Sequence, residues 1–278
     1  MKRIVWLAPL LTFIGTAAGQ DSGGSNEASA AGTASNGADL IRELWFMDDA
    51  RPIETGRTDL RLTYRWETAS APANRGDSDD DSIVTPSLTW GTCDNVEVFV
   101  EVPVWVGDGG DKPSGLEGNA DTTVGFTWRF MEPDDTWPAM ALRGSARLPT
   151  GDNSNGVDGE LRLIMTNEYD SGIRSHINTF ALSVNGDNDE NLRNFQWGFV
   201  AGLDGPLCAD GAVRWVADYM LRSSFHNGVR DLNMLEVGWE WDMDEAEKLG
   251  MSVQIGLDDN DDTPNFGAAI SYSHSLTY

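Results

Sequence analysis

The stretch Val96-Glu97-Val98-Phe99-Val100-Glu101-Val102-Pro103-Val104-Trp105-Val106 decides how this chain folds. Valine takes every second position, six times without a break, and the positions between hold Glu97, Phe99, Glu101, Pro103 and Trp105. A period of two is the signature of a β-strand, because successive side chains point to opposite faces. One face of this strand is wholly aliphatic. The other mixes carboxylates with aromatic rings, which suits an interior that is partly polar.

The same alternation runs outward in both directions. Leu60, Leu62, Tyr64 and Trp66 alternate with Asp59, Arg61, Thr63, Arg65 and Glu67, and Val84, Pro86, Leu88 and Trp90 follow. Downstream come Val124, Phe126, Trp128 and Phe130, then Met140, Leu142, Ala146 and Leu148, then Leu161, Leu163 and Met165. Phe180, Leu182 and Val184 read as the apolar set of the next segment. The series continues with Phe195 to Leu203, Val213 to Leu221, Leu235 to Trp241, Leu249 to Leu257, and Ile270, Tyr272, Leu276 and Tyr278. That makes about twelve strands. The connections near 70–81, 107–119, 150–158, 185–193, 225–230 and 258–265 are longer and rich in Asp, Asn and Gly; those between them are mostly shorter.

The pattern predicts an all-β fold, an antiparallel up-and-down transmembrane β-barrel over residues 57–278. Short turns on the periplasmic side and longer outer loops are the habit of bacterial outer-membrane barrels. An even strand count returns both termini to the periplasm. The aromatic C-terminus, Tyr278, resembles the strand signal read by the barrel-assembly machinery. Closure also answers a physical need, since lipid leaves no partner for an unpaired sheet edge. The competing architecture is a secreted, soluble β-sandwich or barrel.

Composition points the same way. The chain has 278 residues, 45 acidic against 19 basic, and a net charge of −26. That balance argues against nucleic acid as a partner, which needs basic surface. Mean hydropathy is −0.36, yet there are 11 Trp, 30 Gly and 10 Phe. Lys2 and Arg3, an apolar run to Ile14 and small residues up to Gly19 read as a signal peptide over residues 1–19. Residues 20–37 form a Ser/Gly/Ala linker. Residues 38–56 form a periplasmic lead-in that either lies under the barrel or partly plugs it.

The lumen-lining candidates are Arg61, Arg65, Glu97, Phe99, Glu101, Trp105, Arg129, Arg143, Arg147, Glu160, Arg162, Arg214, Glu236 and Glu240, with Asp218 among them. Charges of both signs line paths for polar solutes in pores, and they also pair across strands and fill a narrow interior. Hairpin geometry predicts that Arg214 meets Glu240, Arg147 meets Glu160, and Glu97 meets Arg129. Cys93 and Cys208, in two short turns, are a possible disulfide in an oxidising compartment. The acidic runs at 77–81, 187–190 and 258–262 are candidates for weak divalent-cation binding, although no EF-hand spacing occurs.

No catalytic, metal or cofactor motif is evident. His176, His226 and His274 share no ligand spacing, and neither a phosphate loop nor a dinucleotide fingerprint is present. Ser223, Ser224 and His226 lie close in sequence, but neighbours on a strand face opposite ways. The chain is therefore expected not to be an enzyme.

The segment from Asn95 through Pro103, the strand at 121–130, and Ala146-Arg147-Leu148-Pro149-Thr150-Gly151-Asp152 resemble the outer-membrane barrels of the meta-pathway phenol-degradation family. The resemblance is clearest over residues 95–184. It implies an outer-membrane channel or transporter for small solutes, with aromatic or hydrophobic compounds as candidate cargo, and it brings no catalytic residues. A structural or surface-interaction barrel with a plugged lumen is the alternative.

Overall fold

A computed structural model describes residues 46–68, 80–106, 116–119, 121–134, 136–151, 156–185, 193–208, 211–224, 226–258 and 263–277. The segments read as signal peptide and linker, the first part of the expected lead-in, Tyr278 and most of the acidic runs lie outside the described residues.

The strands are β1 (Arg57–Thr68), β2 (Asp80–Cys93), β3 (Val96–Glu101), β4 (Val104–Val106), β5 (Leu116–Asn119), β6 (Thr122–Met131), β7 (Ala139–Leu148), β8 (Asp158–Glu168), β9 (Arg174–Ser183), β10 (Phe195–Pro206), β11 (Val213–Arg222), β12 (Leu232–Asp242), β13 (Glu247–Gly256) and β14 (Phe266–Thr277). All neighbours pair antiparallel, and β1 pairs with both β14 and β2, which closes the sheet. β3 and β4 are two parts of one stave, and β5 and β6 of another, so the fourteen segments build a twelve-stranded barrel.

The break between β3 and β4 falls at Val102-Pro103. Pro103 has no N–H to give the ladder, while the Val102 amide still reaches the Pro86 carbonyl at 3.0 Å. The turn before β7 is tied by Asp134, whose carboxylate accepts the amides of Thr136 (2.6 Å) and Trp137 (2.7 Å). Those two donors hold Asp134 below the usual carboxylate range.

The outer surface is apolar. Leu62 and Trp90 are each about half exposed, at 51%, and Leu60, Phe126, Trp128, Val253 and Ile270 share that face. An isolated soluble protein rarely shows so continuous an apolar belt; a barrel in lipid requires it.

One segment is turned relative to the expectation. On β9, Phe180 and Leu182 are buried and point inward, and it is Ile177, Thr179 and Ala181 that face out. Phe180 pairs directly with Gly198 of β10. A Cβ at Gly198 would lie 2.1 Å from the Phe180 ring, so the ring occupies the space the glycine leaves. His176 and Asn178 share its face, which puts the polar and aromatic residues of β9 together in the lumen.

Candidate functional site

Residues 46–53 form no strand; they lie inside the barrel and make up much of its filling. The chain then turns at Gly56, with φ of +79°, and its amide bonds the Gly91 carbonyl at 3.1 Å before β1 begins. Positive φ is cheap only for glycine. Four of its backbone amides are held by different parts of the wall. The Met47 amide donates to Asp218 Oδ2 of β11 at 3.3 Å. The Asp48 amide donates to Asn178 Oδ1 of β9 at 2.6 Å, and Asn178 returns a bond from Nδ2 to the Asp48 carbonyl at 3.1 Å. The Ala50 amide donates to Thr166 Oγ1 of β8 at 2.9 Å, and the Ile53 amide to Glu97 Oε2 of β3 at 2.9 Å. Gly202 of β10 lies under Met47, whose Sδ would be 2.3 Å from a Cβ there.

The side chain of Asp48 sits between two arginines. Arg143 Nη1 reaches Asp48 Oδ1 at 3.0 Å, and Arg162 Nη1 bonds Asp48 Oδ2. Both guanidiniums keep a carboxylate from the wall as well: Arg143 with Glu101 at 3.2 Å, and Arg162 with Glu160 at 3.2 Å. Each also lies over a ring, Arg143 4.0 Å from the centre of Phe99 and Arg162 4.7 Å from that of Phe180. Fixed stems, stacked planes and shared carboxylates make the two arginines a rigid pair of donors.

An apolar cluster and a polar cavity lie toward opposite ends of the lumen, with the buried Arg65 and Arg222 beside the cluster. Toward the long connections, Phe46 and Met47 pack with Ile83, Phe180, Val200, Val216, Met220, Leu232 and Met234, and Trp105 lies against this cluster. Toward the short turns, a cavity of about 140 Å³ remains between residues 48–53 and the wall, bordered by Asp59, Arg61, Ser87, Thr89, Glu97 and Thr127.

The remaining sequence candidates fall into clusters. Arg65, 1% exposed, donates to Gln254 Oε1 at 2.7 Å, lies 3.7 Å from Glu67 and 4.0 Å from Glu236, and faces the Phe46 ring at 5.6 Å. Arg214 stands opposite Glu240 in register, yet it donates to Asp204 at 2.9 Å, and Glu240 pairs with Lys248 at 3.1 Å. Arg147 pairs with Asp158 through Nε at 2.8 Å, and Glu160 takes Arg162. Glu97 is opposite Thr127 and holds Ile53, while Arg129 bonds Asn95 at 3.0 Å and Glu132 at 2.7 Å near the short-turn rim. The three predicted pairings thus give way to others: Arg147 takes Asp158, its direct register partner on β8, Arg214 takes a carboxylate on a third strand, and Glu97 holds the segment inside the barrel.

Cys93 and Cys208 are both free and exposed, so the bridge between them does not form. They sit on staves six apart in a twelve-stranded ring, and a disulfide needs Cα atoms within about 7 Å. Among the described residues there is no cluster of three or more metal-ligating side chains; most of the acidic runs lie outside those residues. Ser223 Oγ accepts the Trp197 amide at 3.0 Å, and Ser224 Oγ accepts the His226 amide at 3.0 Å.

Sequence reasoning passed over Asp48, Asp49, Thr166, Arg174, His176, Asn178 and Asp204. They form a connected set: Arg174 bonds Asp49 and Asp204, His176 bonds Asp204 at 2.6 Å and Thr166 at 3.1 Å, and Thr166 holds Ala50. The alternation Arg174, His176, Asn178 was the available signal, since three polar residues at period two mark a wet or paired face.

No protein-family model matches the sequence, and a search of curated proteins finds no match. Solved structures do match. An outer membrane channel from Pseudomonas putida F1 superposes with a TM-score of 0.67 at 13% identity, over 82% of this chain and 98% of that one. The NanC porin gives a TM-score of 0.53 at 10% identity, over 79% of this chain and all of the porin. The fold is that of an outer-membrane β-barrel. At these identities the likeness carries the architecture alone, so the resemblance to the phenol-degradation family extends no further than that fold.

Proposed function

We propose that the protein is an outer-membrane channel for small solutes whose lumen is closed at rest by its own residues 46–53. The observation that carries this reading is how the segment is held. It joins no strand, and the bonds that tie its backbone to the wall run to side chains on β3, β8, β9 and β11. A segment bound that way can leave without breaking the barrel ladder, whose own pairing closes the ring independently. Twelve strands enclose more space than eight, whose side chains alone fill the interior. Withdrawal would therefore leave a passage lined by Arg65, Glu101, Arg143, Arg162, Glu236 and their neighbours. The two channels reported above as structural neighbours make a transport role the natural reading of this architecture. Aromatic or hydrophobic solutes remain candidates for the cargo through the Phe99, Trp105 and Phe180 rings.

The test is a reversible lock. Met47→Cys with Gly202→Cys, in a chain whose Cys93 and Cys208 are replaced by serine, places two thiols where the thioether now meets β10. Reconstituted in planar bilayers, the oxidised barrel is expected to stay closed and the reduced barrel to show openings. Equal conductance in both states would remove the segment as the gate. Silence in both would favour a structural barrel, the second reading, which draws support from the buried ion pairs that Asp48 makes with Arg143 and Arg162.

A further inference from the structure

We propose that the Arg143–Arg162 pair is a carboxylate-binding seat for the channel's cargo, and that residues 46–48 occupy it at rest as a built-in mimic of a small amphipathic carboxylate. The inference rests on the channel reading and names the solute class for that lumen. Three features carry it. First, Nη1 of each arginine converges on Asp48, one on each carboxylate oxygen, while Arg143 Nη2 goes to Glu101, Arg162 Nε to Glu160, and Arg162 Nη1 also reaches the Phe46 carbonyl at 3.4 Å. Removing Asp48 leaves both wall carboxylates paired and two directed donors vacant. Guanidinium forks favour planar anions for this reason. Second, the seat is built from rigid strands, with Phe99 and Phe180 stacked beneath the guanidiniums, so the donors do not collapse together when the carboxylate leaves. Preorganised donors lose little on binding. Third, the apolar side chains just before Asp48 fill the neighbouring chamber. Phe46 and Met47 lie among Phe180, Val216, Met220 and Met234. Thus Phe46, Met47 and Asp48 present an apolar body followed by one carboxylate, and the lumen offers a mainly apolar chamber, flanked by Arg65 and Asp218, followed by one pair of donors. A free solute with that outline, such as an arylcarboxylate or a short fatty acid, competes for the same ground. Neutral aromatics match the chamber but not the seat, and oxalate-like dianions match the seat but not the chamber.

The experiment compares the full-length protein with Asp48→Ala, and with Asp48→Ala combined with Arg162→Lys, using benzoate and the neutral benzyl alcohol as probes. Binding is read by tryptophan fluorescence and calorimetry in detergent, and conductance in planar bilayers. Heat-modifiability gels select the preparations that are folded. Asp48→Ala is expected to bind benzoate at least tenfold more tightly than the wild type, with little gain for benzyl alcohol, and benzoate should block its conductance. The Arg162→Lys change should reverse most of that gain, and Asp48→Glu should behave like the wild type. Equal benzoate affinity in Asp48→Ala and the wild type overturns the seat, even where Asp48→Ala conducts and the channel reading survives. An equal gain for benzoate and benzyl alcohol also overturns it, since the chamber alone would then be the site. If Asp48→Ala binds benzoate tightly and selectively but never conducts, the seat stands and the channel reading falls.

Discussion

Gly198 and Gly202, four apart on β10, show how single residues set the filling of this barrel. Both face inward, one beneath the Phe180 ring and the other beneath Met47. At Gly198 an added methyl meets an aromatic ring that cannot bend away, at 2.1 Å. Overpacking of this kind costs about 1–3 kcal/mol. Gly198→Ala is therefore expected to lower the temperature at which the barrel unfolds in heat-modifiability gels. At Gly202 the neighbour is the end of a flexible side chain, so Gly202→Ala should dislodge Met47 and raise the frequency of channel openings with a smaller loss of heat stability. Gly159, whose Cβ would meet nothing within 4 Å, serves as the reference. Identical behaviour of all three alanine variants would show that inward glycines do not shape the interior.

At the scale of elements, the connections define two unlike ends. The turns between β2 and β3, β6 and β7, β8 and β9, β10 and β11, and β12 and β13 share one rim with the start of β1 and the end of β14. Cys93 and Cys208 both lie there, exposed and unpaired. They are natural reporters of orientation. If the short-turn rim faces the periplasm, a membrane-impermeant maleimide leaves the wild-type protein unlabelled in intact cells and labels two thiols once the outer membrane is permeabilised. Labelling in intact cells would invert the orientation. The same element logic explains β9. Its apolar residues at 180 and 182 suggested a lipid face, but its register to β8 and β10 places Arg162, Phe180 and Gly198 side by side in the lumen. A strand's faces are assigned by the register of its neighbours, and one strand's composition does not override them.

The whole molecule has its apolar side outside and its charges inside, the reverse of a soluble protein. Glu236 is 0% exposed and Arg65 is 1% exposed, while aromatic and aliphatic side chains cover the outside. Val124→Arg should therefore impair assembly, since Val124 is exposed on the outer face midway along its stave, where an arginine facing lipid costs about 2–4 kcal/mol. Thr89→Arg points into the cavity that also borders Glu97, where room and a counter-charge are available, and should fold normally. Equal damage from both changes, read by heat-modifiability, would show that the outer belt does not face lipid. Arginine is not tolerated throughout the interior, however. Asn178 is fully buried and bonded twice to Asp48, so a larger charged side chain there would displace the inner segment.

The sequence by itself determined the strand count, the closed antiparallel architecture, the outward belt and most of the inward charges. These follow from a local cause: a pleated strand between lipid and lumen alternates at period two, and the alternation of Val96 to Val106 or Leu60 to Trp66 is visible without any partner. The tertiary structure alone decided which charges pair, which way β9 faces, and where residues 46–53 go. Arg147 chose Asp158, Arg214 chose Asp204, and Glu97 holds Ile53. Those choices depend on how the staves and the inner segment are placed in three dimensions, which also brings together residues over a hundred positions apart, such as Asp48 and Arg162. No local period encodes them, because a segment without strand or helix leaves no repeating mark in the sequence while still supplying the groups that complete the interior.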